Sequence, residues 1–247
     1  MTLTNIWMKP SNITNPNNSA EEAEDLSAYF DMGVSVTNVL YGFEDDQLKV
    51  FIQKISRYPY EGAWALPGVL IKSNEGLENK SREIARECFG NGDVYLEQLN
   101  AFGKIYRHPL GRVIDIAFYG LINMADDIKE YRKDKESKWI PVNEVPELAY
   151  DHNEILELAR QRLKRRIVNR PIGFKLLPEE FSLTELQTLY EAILGRELDK
   201  RNFRKKLLKL DVLIEQGRDE KNESPGRNPK LYKFNKERYN HYMEQGF

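Results

Sequence analysis

The sequence predicts an α+β protein built in two parts, and three observations carry that expectation. Apolar residues alternate with polar ones at 33–41 (GVSVTNVLY) and again at 48–55 (LKVFIQKI), the period of half-buried strands. At 76–90 and 151–167 they recur instead at helical spacing. Past a break at 168–178, where Pro171, Gly173 and Pro178 interrupt any regular pattern, the chain changes to two short helices followed by a ribbon.

The first 30 residues are rich in Asn, Ser, Thr and Glu, and are expected to form a polar tail or a loosely docked arm. The two alternating runs, joined by GFEDDQ, then predict a β-hairpin. In GLENKSREIARECFG, Leu77, Ile84, Ala85 and Cys88 share one side of a helix, and Gly90 fits its C-terminal stop. Further strands are expected within 94–106 and 112–124, separated by the turn RHPLG, and a short strand and turn within 137–148. Ile155, Leu156, Ala159 and Leu163 make 151–167 an amphipathic helix.

Composition narrows the function classes. The 247 residues are 40% hydrophobic and 11% aromatic, enough for a packed core in one large domain or two small ones. A net charge of −2 excludes a chain that is polybasic throughout, while leaving room for a local basic patch. Cys88 is the one cysteine, so a disulfide framework is excluded and a reducing, cytoplasmic setting is expected. No run of about 18 apolar residues predicts a membrane span, and no basic-then-apolar N-terminus predicts a secretory signal.

The C-terminal part reads in finer detail. In FSLTELQTLYEAILG, Ser182 and Glu185 stand at the spacing of a capping box, Phe181 and Leu186 at that of a hydrophobic staple, and Gly195 ends the helix. Asp199 is a candidate cap for a second helix in which Lys200, Arg201, Arg204, Lys205, Lys206 and Lys209 occur with no acidic residue among them. Phe203, Leu207 and Leu210 fall on one face of that helix; Arg201, Asn202, Lys205 and Lys209 fall opposite. Helix, tight turn, basic helix and two-stranded ribbon is the order of a winged helix-turn-helix. Lys200, Arg201, Asn202, Arg204, Lys205 and Lys209 are therefore candidate DNA contacts, joined by Arg227 and Lys230 at the ribbon turn. Arg and Lys can reach guanine O6 and N7, Asn can pair with adenine, and most basic side chains in such an interface meet phosphate. The alternative is a merely solvated charged helix.

The stretch 64–90 carries the chemistry of the first part. From Gly68, five residues lead to Asn74 and seven more to Arg82-Glu83-Ile84-Ala85-Arg86-Glu87. That spacing resembles the box of the Nudix family, in which carboxylates on one helical turn hold divalent cations against a diphosphate. Three departures stand out: Asn74 and Arg86 replace glutamates, and the closing Gly90 comes one residue late. Glu83, Arg86 and Glu87 lie at i, i+3 and i+4, so their side chains converge. Carboxylates there suit hard cations, which polarise phosphoryl oxygens and activate water. A guanidinium cannot ligate a cation. Arg86 is expected either to pair with Glu83 or Glu87 or to hold an anionic group of a ligand.

Three readings stay open for the box: a retired hydrolase kept as a ligand pocket, with no catalytic residues and no cofactor; a working Mg²⁺-dependent hydrolase using Glu83 and Glu87; or plain scaffold. Arg57, Trp64, Phe102, Arg107 and Arg112 join Arg86 as candidate ligand-binding residues. Trp64 is either a stacking surface or part of the core, and Arg107 and Arg112 flank a turn where an arginine needs no special role. His152, just after an Asp at a helix start, is read as a hydrogen-bonded cap residue rather than a metal ligand. Cys88 is expected to be buried and inert.

Across about 34–240, GAWALPGVL, YLEQLNAFG, GRVIDIAFYGLI, DHNEIL, PIGFKLLPEEFSLTELQTLYEAI and DKRNFRKKL resemble the Nudix-related transcriptional regulators of NrtR and AraR type. The resemblance implies an N-terminal Nudix α/β/α sandwich at 31–167 for ligand sensing, a linker at 168–178 and a winged-helix DNA-binding domain at 179–247. It also implies a homodimeric regulator, read as a repressor, that grips a double-stranded operator. A small effector, ADP-ribose in one branch and a sugar such as arabinose in others, alters that grip. The rival is an active Nudix hydrolase of a nucleoside diphosphate derivative such as ADP-ribose.

Overall fold

The computed structural model describes residues 31–90, 94–124, 136–170, 172–218 and 228–238. The polar tail at 1–30 and Arg227 lie outside the described residues. In chain order the elements are β1 (Gly33–Glu44), β2 (Gln47–Lys54), β3 (Trp64–Ala65), β4 (Gly68–Leu70), α1 (Leu77–Phe89), β5 (Tyr95–Phe102), β6 (Val113–Leu121), β7 (Ser137–Pro141), α2 (His152–Asn169), a 3₁₀ turn (Ile172–Leu176), β8 (Glu180–Ser182), α3 (Leu183–Leu194), α4 (Lys200–Lys209), β9 (Leu213–Arg218) and β10 (Lys230–Phe234).

The first seven strands form one mixed sheet in the order β3-β2-β1-β6-β5, with β4 added to β1 and β7 to β2. The β1–β2 hairpin turns on Asp45 and Asp46, both at positive φ (52° and 59°), the conformation that matches strand twist in a two-residue turn. Lys49 steadies it by donating to Glu44 and Asp45. β1 is central. It runs parallel to β6 from Gly33 to Tyr41 on one edge, and antiparallel to β4 and then β2 on the other.

Because successive side chains of a strand point to opposite faces, β1 divides the interior. Val36 and Leu40 pack with Phe51, Phe118 and the apolar stripe of α1, namely Ile84, Ala85, Cys88 and Phe89. Phe51, Phe89 and Trp139 form an aromatic cluster there, with ring centroids 4.9–5.5 Å apart. Val39 and Tyr41 face the other way, against α2 through Ile155, Ala159, Leu163 and Ile167. The result is a sheet between helical layers.

α2 does not end at a slack connection. Ile172, Leu176 and Leu177 are buried in the same core as α2, and that core continues into Phe181, Leu186, Leu189 and Ile193. Leu189 also lies 3.4 Å from where a Cβ on Gly173 would sit, so this glycine lets the turn approach α3 closely.

α3 begins with the capping box: the Glu185 amide donates to Ser182 Oγ (3.1 Å), and the Ser182 amide donates to Glu185 Oε2 (2.7 Å). It stops at Gly195, whose φ of 70° is left-handed. The Asp199 side chain caps α4 by accepting from the Asn202 amide (2.8 Å). The wing has one more strand than the sequence suggests. β8, immediately before α3, pairs with β10, giving a three-stranded sheet β8-β10-β9.

A core shared between the sheet, α2 and the winged helix should unfold as a unit. Leu189→Ala is expected to lower stability by about 2–5 kcal/mol. Tryptophan fluorescence, to which Trp64 and Trp139 in the sheet contribute beside Trp7, should shift its midpoint together with far-UV circular dichroism; two separated transitions would contradict the shared core.

Candidate functional site

A cavity of about 150 Å³ opens on the α2 side of the sheet. β1 contributes Ser35 and Thr37, β6 contributes Asp115, β4 contributes Gly68, Val69 and Leu70, and the start of α2 with the residues just before it contributes His152 and Tyr150. β4 can lie this close to β1 because residue 68 is a glycine. A Cβ there would meet Thr37 Oγ1 at 2.8 Å and the Val36 carbonyl oxygen at 3.0 Å.

Asp115 has no exposed surface. Ser35 Oγ and Thr37 Oγ1 both donate to its Oδ1, at 2.6 and 2.8 Å. Its Oδ2 is buried with no hydrogen-bond partner among the described residues. Burial pushes the carboxyl pKa up, against the pull of the two hydroxyls.

Arg107 lines the cavity but is committed elsewhere, donating through Nε and Nη2 to both oxygens of Asp151 at 2.9 and 2.6 Å. Both partners are almost wholly buried. Tyr150, at φ 58°, carries the His108 ring stacked at 5.3 Å and meets Tyr60 edge-on at 4.6 Å. His152 is a hydrogen-bonded residue at the helix start: its Nδ1 accepts from the Leu66 amide at 3.0 Å. Burial depresses its pKa to about 4, so the ring is neutral at physiological pH and its proton sits on Nε2.

The six ligand candidates from the sequence do not converge. Only Arg107 lines the cavity. Arg57 is exposed in the turn after β2. Trp64 is half-buried against the core, with the Lys54 and Lys138 ammonium groups 5.6 and 4.5 Å from its ring. Phe102 is half-buried against the same core. Arg112 ties the 103–112 loop together by donating to the carbonyls of Gly103 and Lys104.

Arg86 is exposed on α1, across the sheet from the cavity. It does not pair with Glu83. Lys80 takes that carboxylate at 2.8 Å and holds Glu75 of the preceding loop at 2.7 Å. Lys80 stands three residues before Glu83 and is far less exposed than it, so it reaches the carboxylate first. Among the described residues no cluster of three or more His, Cys, Asp or Glu side chains could hold a metal ion. Glu83 and Glu87, with Lys80 bonded to one and Arg86 on the same turn, do not fit a Mg²⁺ cage by themselves, since that ion demands a near-octahedral set of oxygens.

On the winged helix, Leu207 is buried and Phe203 half-buried, which seats α4 on its apolar face. Lys200, Arg201, Asn202, Lys205 and Lys209 are exposed on the outward side. Arg204 is half-buried. Its Nη2 donates to Thr184 Oγ1 at 3.3 Å, and its Nε has no partner among the described residues. It lines a cleft of about 350 Å³ together with the start of α3 and the wing residues Arg218 and Lys230. Lys230 is paired with Glu215 at 2.8 Å. Arg218 is directly opposite Lys230 in the ribbon.

Sheet, flanking helices and winged helix together define a class: a Nudix-fold domain fused to a helix-turn-helix reader. Residues 173–234 match the NrtR DNA-binding winged helix domain. The chain is 29% identical over 206 residues, 81% of each chain, to the ADPR responsive transcriptional repressor NtrR of Acinetobacter baylyi. It is 29% identical to Shewanella oneidensis NrtR as crystallised with a 27mer DNA, covering 84% of this chain and 95% of that one at a TM-score of 0.73. It shares its fold with a MutT/nudix family protein from Enterococcus faecalis, at 24% identity, 87% and 94% coverage and a TM-score of 0.65. No helix among the described residues is long and apolar enough to cross a membrane.

The neutral His152 gives a pH signature. The unfolded chain binds this proton below the ordinary value of 6.5, whereas the folded chain binds it only near 4. Its contribution is therefore complete above 6.5 and is lost as pH falls toward 4, on the order of 3 kcal/mol in all. His152→Asn keeps an acceptor that does not titrate. The difference in melting temperature between the two proteins is expected to change across pH 6.5–4 and to stay flat above 7.

Proposed function

We propose that this chain is a DNA-binding transcriptional repressor whose Nudix domain senses ADP-ribose or a related pentose-bearing metabolite. The observation that carries the reading is α4. Its apolar face is seated, and Arg201, Asn202, Lys205 and Lys209 project outward from a domain of NrtR type. The likeness to an ADPR responsive repressor and to a DNA-bound NrtR supports both halves. Arg201 and Asn202, in the first turn of α4, are placed to read base edges, while Lys205, Lys209, Arg218 and Arg204 meet phosphates. Lys230 reaches DNA only by giving up Glu215. Two copies on a palindromic operator, in the cytoplasm where the DNA lies, complete the reading.

The effector acts by population shift: it binds one arrangement of sensor and reader more tightly than the other, and only that difference moves DNA affinity. α2 is the connecting element. It starts at the cavity with His152, and Ile167 in its last turn lies inside the core shared with Tyr190 and Leu207. Glu97 of β5 grips its last turn, accepting from Arg166 as well as from Tyr95 and Tyr119. Burial raises the Glu97 pKa, but these hydrogen bonds outweigh it and hold the carboxylate ionised.

A second reading, Mg²⁺-dependent hydrolysis, keeps one observation in its favour: Glu83 and Glu87 stand at the box spacing. Arg86 between them and Lys80 on Glu83 weigh against it.

Fluorescence anisotropy with duplex DNA from upstream of the protein's own coding region tests the repressor. Binding is expected at low salt, and Lys205→Ala should reduce the slope of log K against log salt by about 1. ADP-ribose should weaken binding by roughly 5- to 150-fold. No binding at low salt would end the reading. Release of AMP from ADP-ribose with Mg²⁺ or Mn²⁺ would establish the hydrolase instead.

A further inference from the structure

We propose that the groove between the end of α2 and the two helices of the reader is a second ligand site, shaped for an amphipathic anion: a body of apolar carbon with one carboxylate head. The inference is independent of the cavity beside the sheet. The groove lies at the far end of α2, roughly 25 Å along the helix from His152 at 1.5 Å per residue.

The floor is apolar. Leu194 ends α3, Leu198 stands in the turn after it, Phe203 and Leu210 come from α4 and its C-cap, and Ile167 and Val168 from the last turn of α2. Leu194, Leu198, Phe203 and Leu210 are only half-buried, and Val168 is 65% exposed. The space they enclose is about 360 Å³, against about 150 Å³ beside the sheet. It falls within the ~300–1,000 Å³ of small-molecule sites, which are concave, mostly apolar and lined by a few polar groups.

The walls are held by the chain itself. The Gln187 side chain donates to the Leu198 carbonyl (3.0 Å), and Glu191 accepts from the Leu198 amide (2.8 Å), which pins the α3–α4 turn. The Phe203 ring meets Tyr190 edge-on at 5.1 Å. A preformed groove leaves little for a ligand to order on binding.

The rim decides the charge of the occupant. Arg170, Arg196 and Lys206 line the groove, and none has an ion pair or side-chain hydrogen bond with a described residue. Arg107 and Arg166 elsewhere are each claimed by a carboxylate. Asp199 also lines the groove, but its side chain is engaged as the cap of α4. Three cations against one committed carboxylate repel a metal ion and attract an anion. A carboxylate would receive charge-assisted hydrogen bonds there. A bare inorganic anion would leave the floor in water, and a neutral apolar molecule would leave the cations without a partner. Both needs are met by an apolar body with an anionic head. Asn202 lines the same groove, so the site adjoins the helix that presents the DNA contacts.

Calorimetry on the full chain tests the site. Decanoate is the probe; decyltrimethylammonium, with the same tail and the opposite head charge, is its control. Decanoate should bind, and the cation at least about tenfold more weakly. Two variants change exposed positions only, so the fold is retained. The double variant Arg196→Glu, Lys206→Glu reverses the rim, and Val168→Trp fills the mouth of the groove. Each should weaken decanoate by at least about tenfold. Failure of decanoate to bind the parent chain, equal binding of the two head groups, or undiminished binding in either variant would overturn the proposal. None of these outcomes bears on the repressor reading, which rests on the operator titration.

Discussion

The architecture depends on one strand that is covered on both edges and both faces. β1 pairs with β6 from Gly33 to Tyr41 and with β4 and β2 in succession, so most of its backbone groups are spent within the sheet. Its side chains then divide two interiors. One, holding Val36 and Leu40, is closed by α1. The other, holding Val39 and Tyr41, is closed by α2 and continues into the reader. Ser35 and Thr37 are the polar residues at the start of the second face, and they hold Asp115 across the β1–β6 ladder. The cavity is what remains where the apolar part of that face gives way to polar residues.

How legible this was depends on whether the signal is local. The α3 capping box, the Gly195 stop and the two faces of α4 are set by residues within a few positions of one another, and the sequence declares them. Asp115 is the opposite case. In RVIDIAF it sits among apolar residues and reads as the outward member of an alternating strand; only the sheet order shows that both faces are covered. The hydroxyls that receive it are 78 and 80 residues away.

Charge was the least legible property. Arginines stand out in a sequence, and the ligand candidates leaned on them. Yet Arg107 is claimed by Asp151, Arg112 by two loop carbonyls and Arg166 by Glu97. A guanidinium offers five donors and is rarely left idle near a carboxylate. The exposure of Arg201 and Lys205 was readable because their helix turns its apolar side inward and leaves them in water. The third wing strand, β8, escaped because three residues carry no periodic signal; its pairing with β10 is a tertiary event.

The bridge from Glu75 through Lys80 to Glu83 has a consequence for the cell. It fastens the loop ahead of α1 to the helix with an ammonium that belongs to the chain itself. The tether is synthesised with the polypeptide, so its two ion pairs need no bound metal to form.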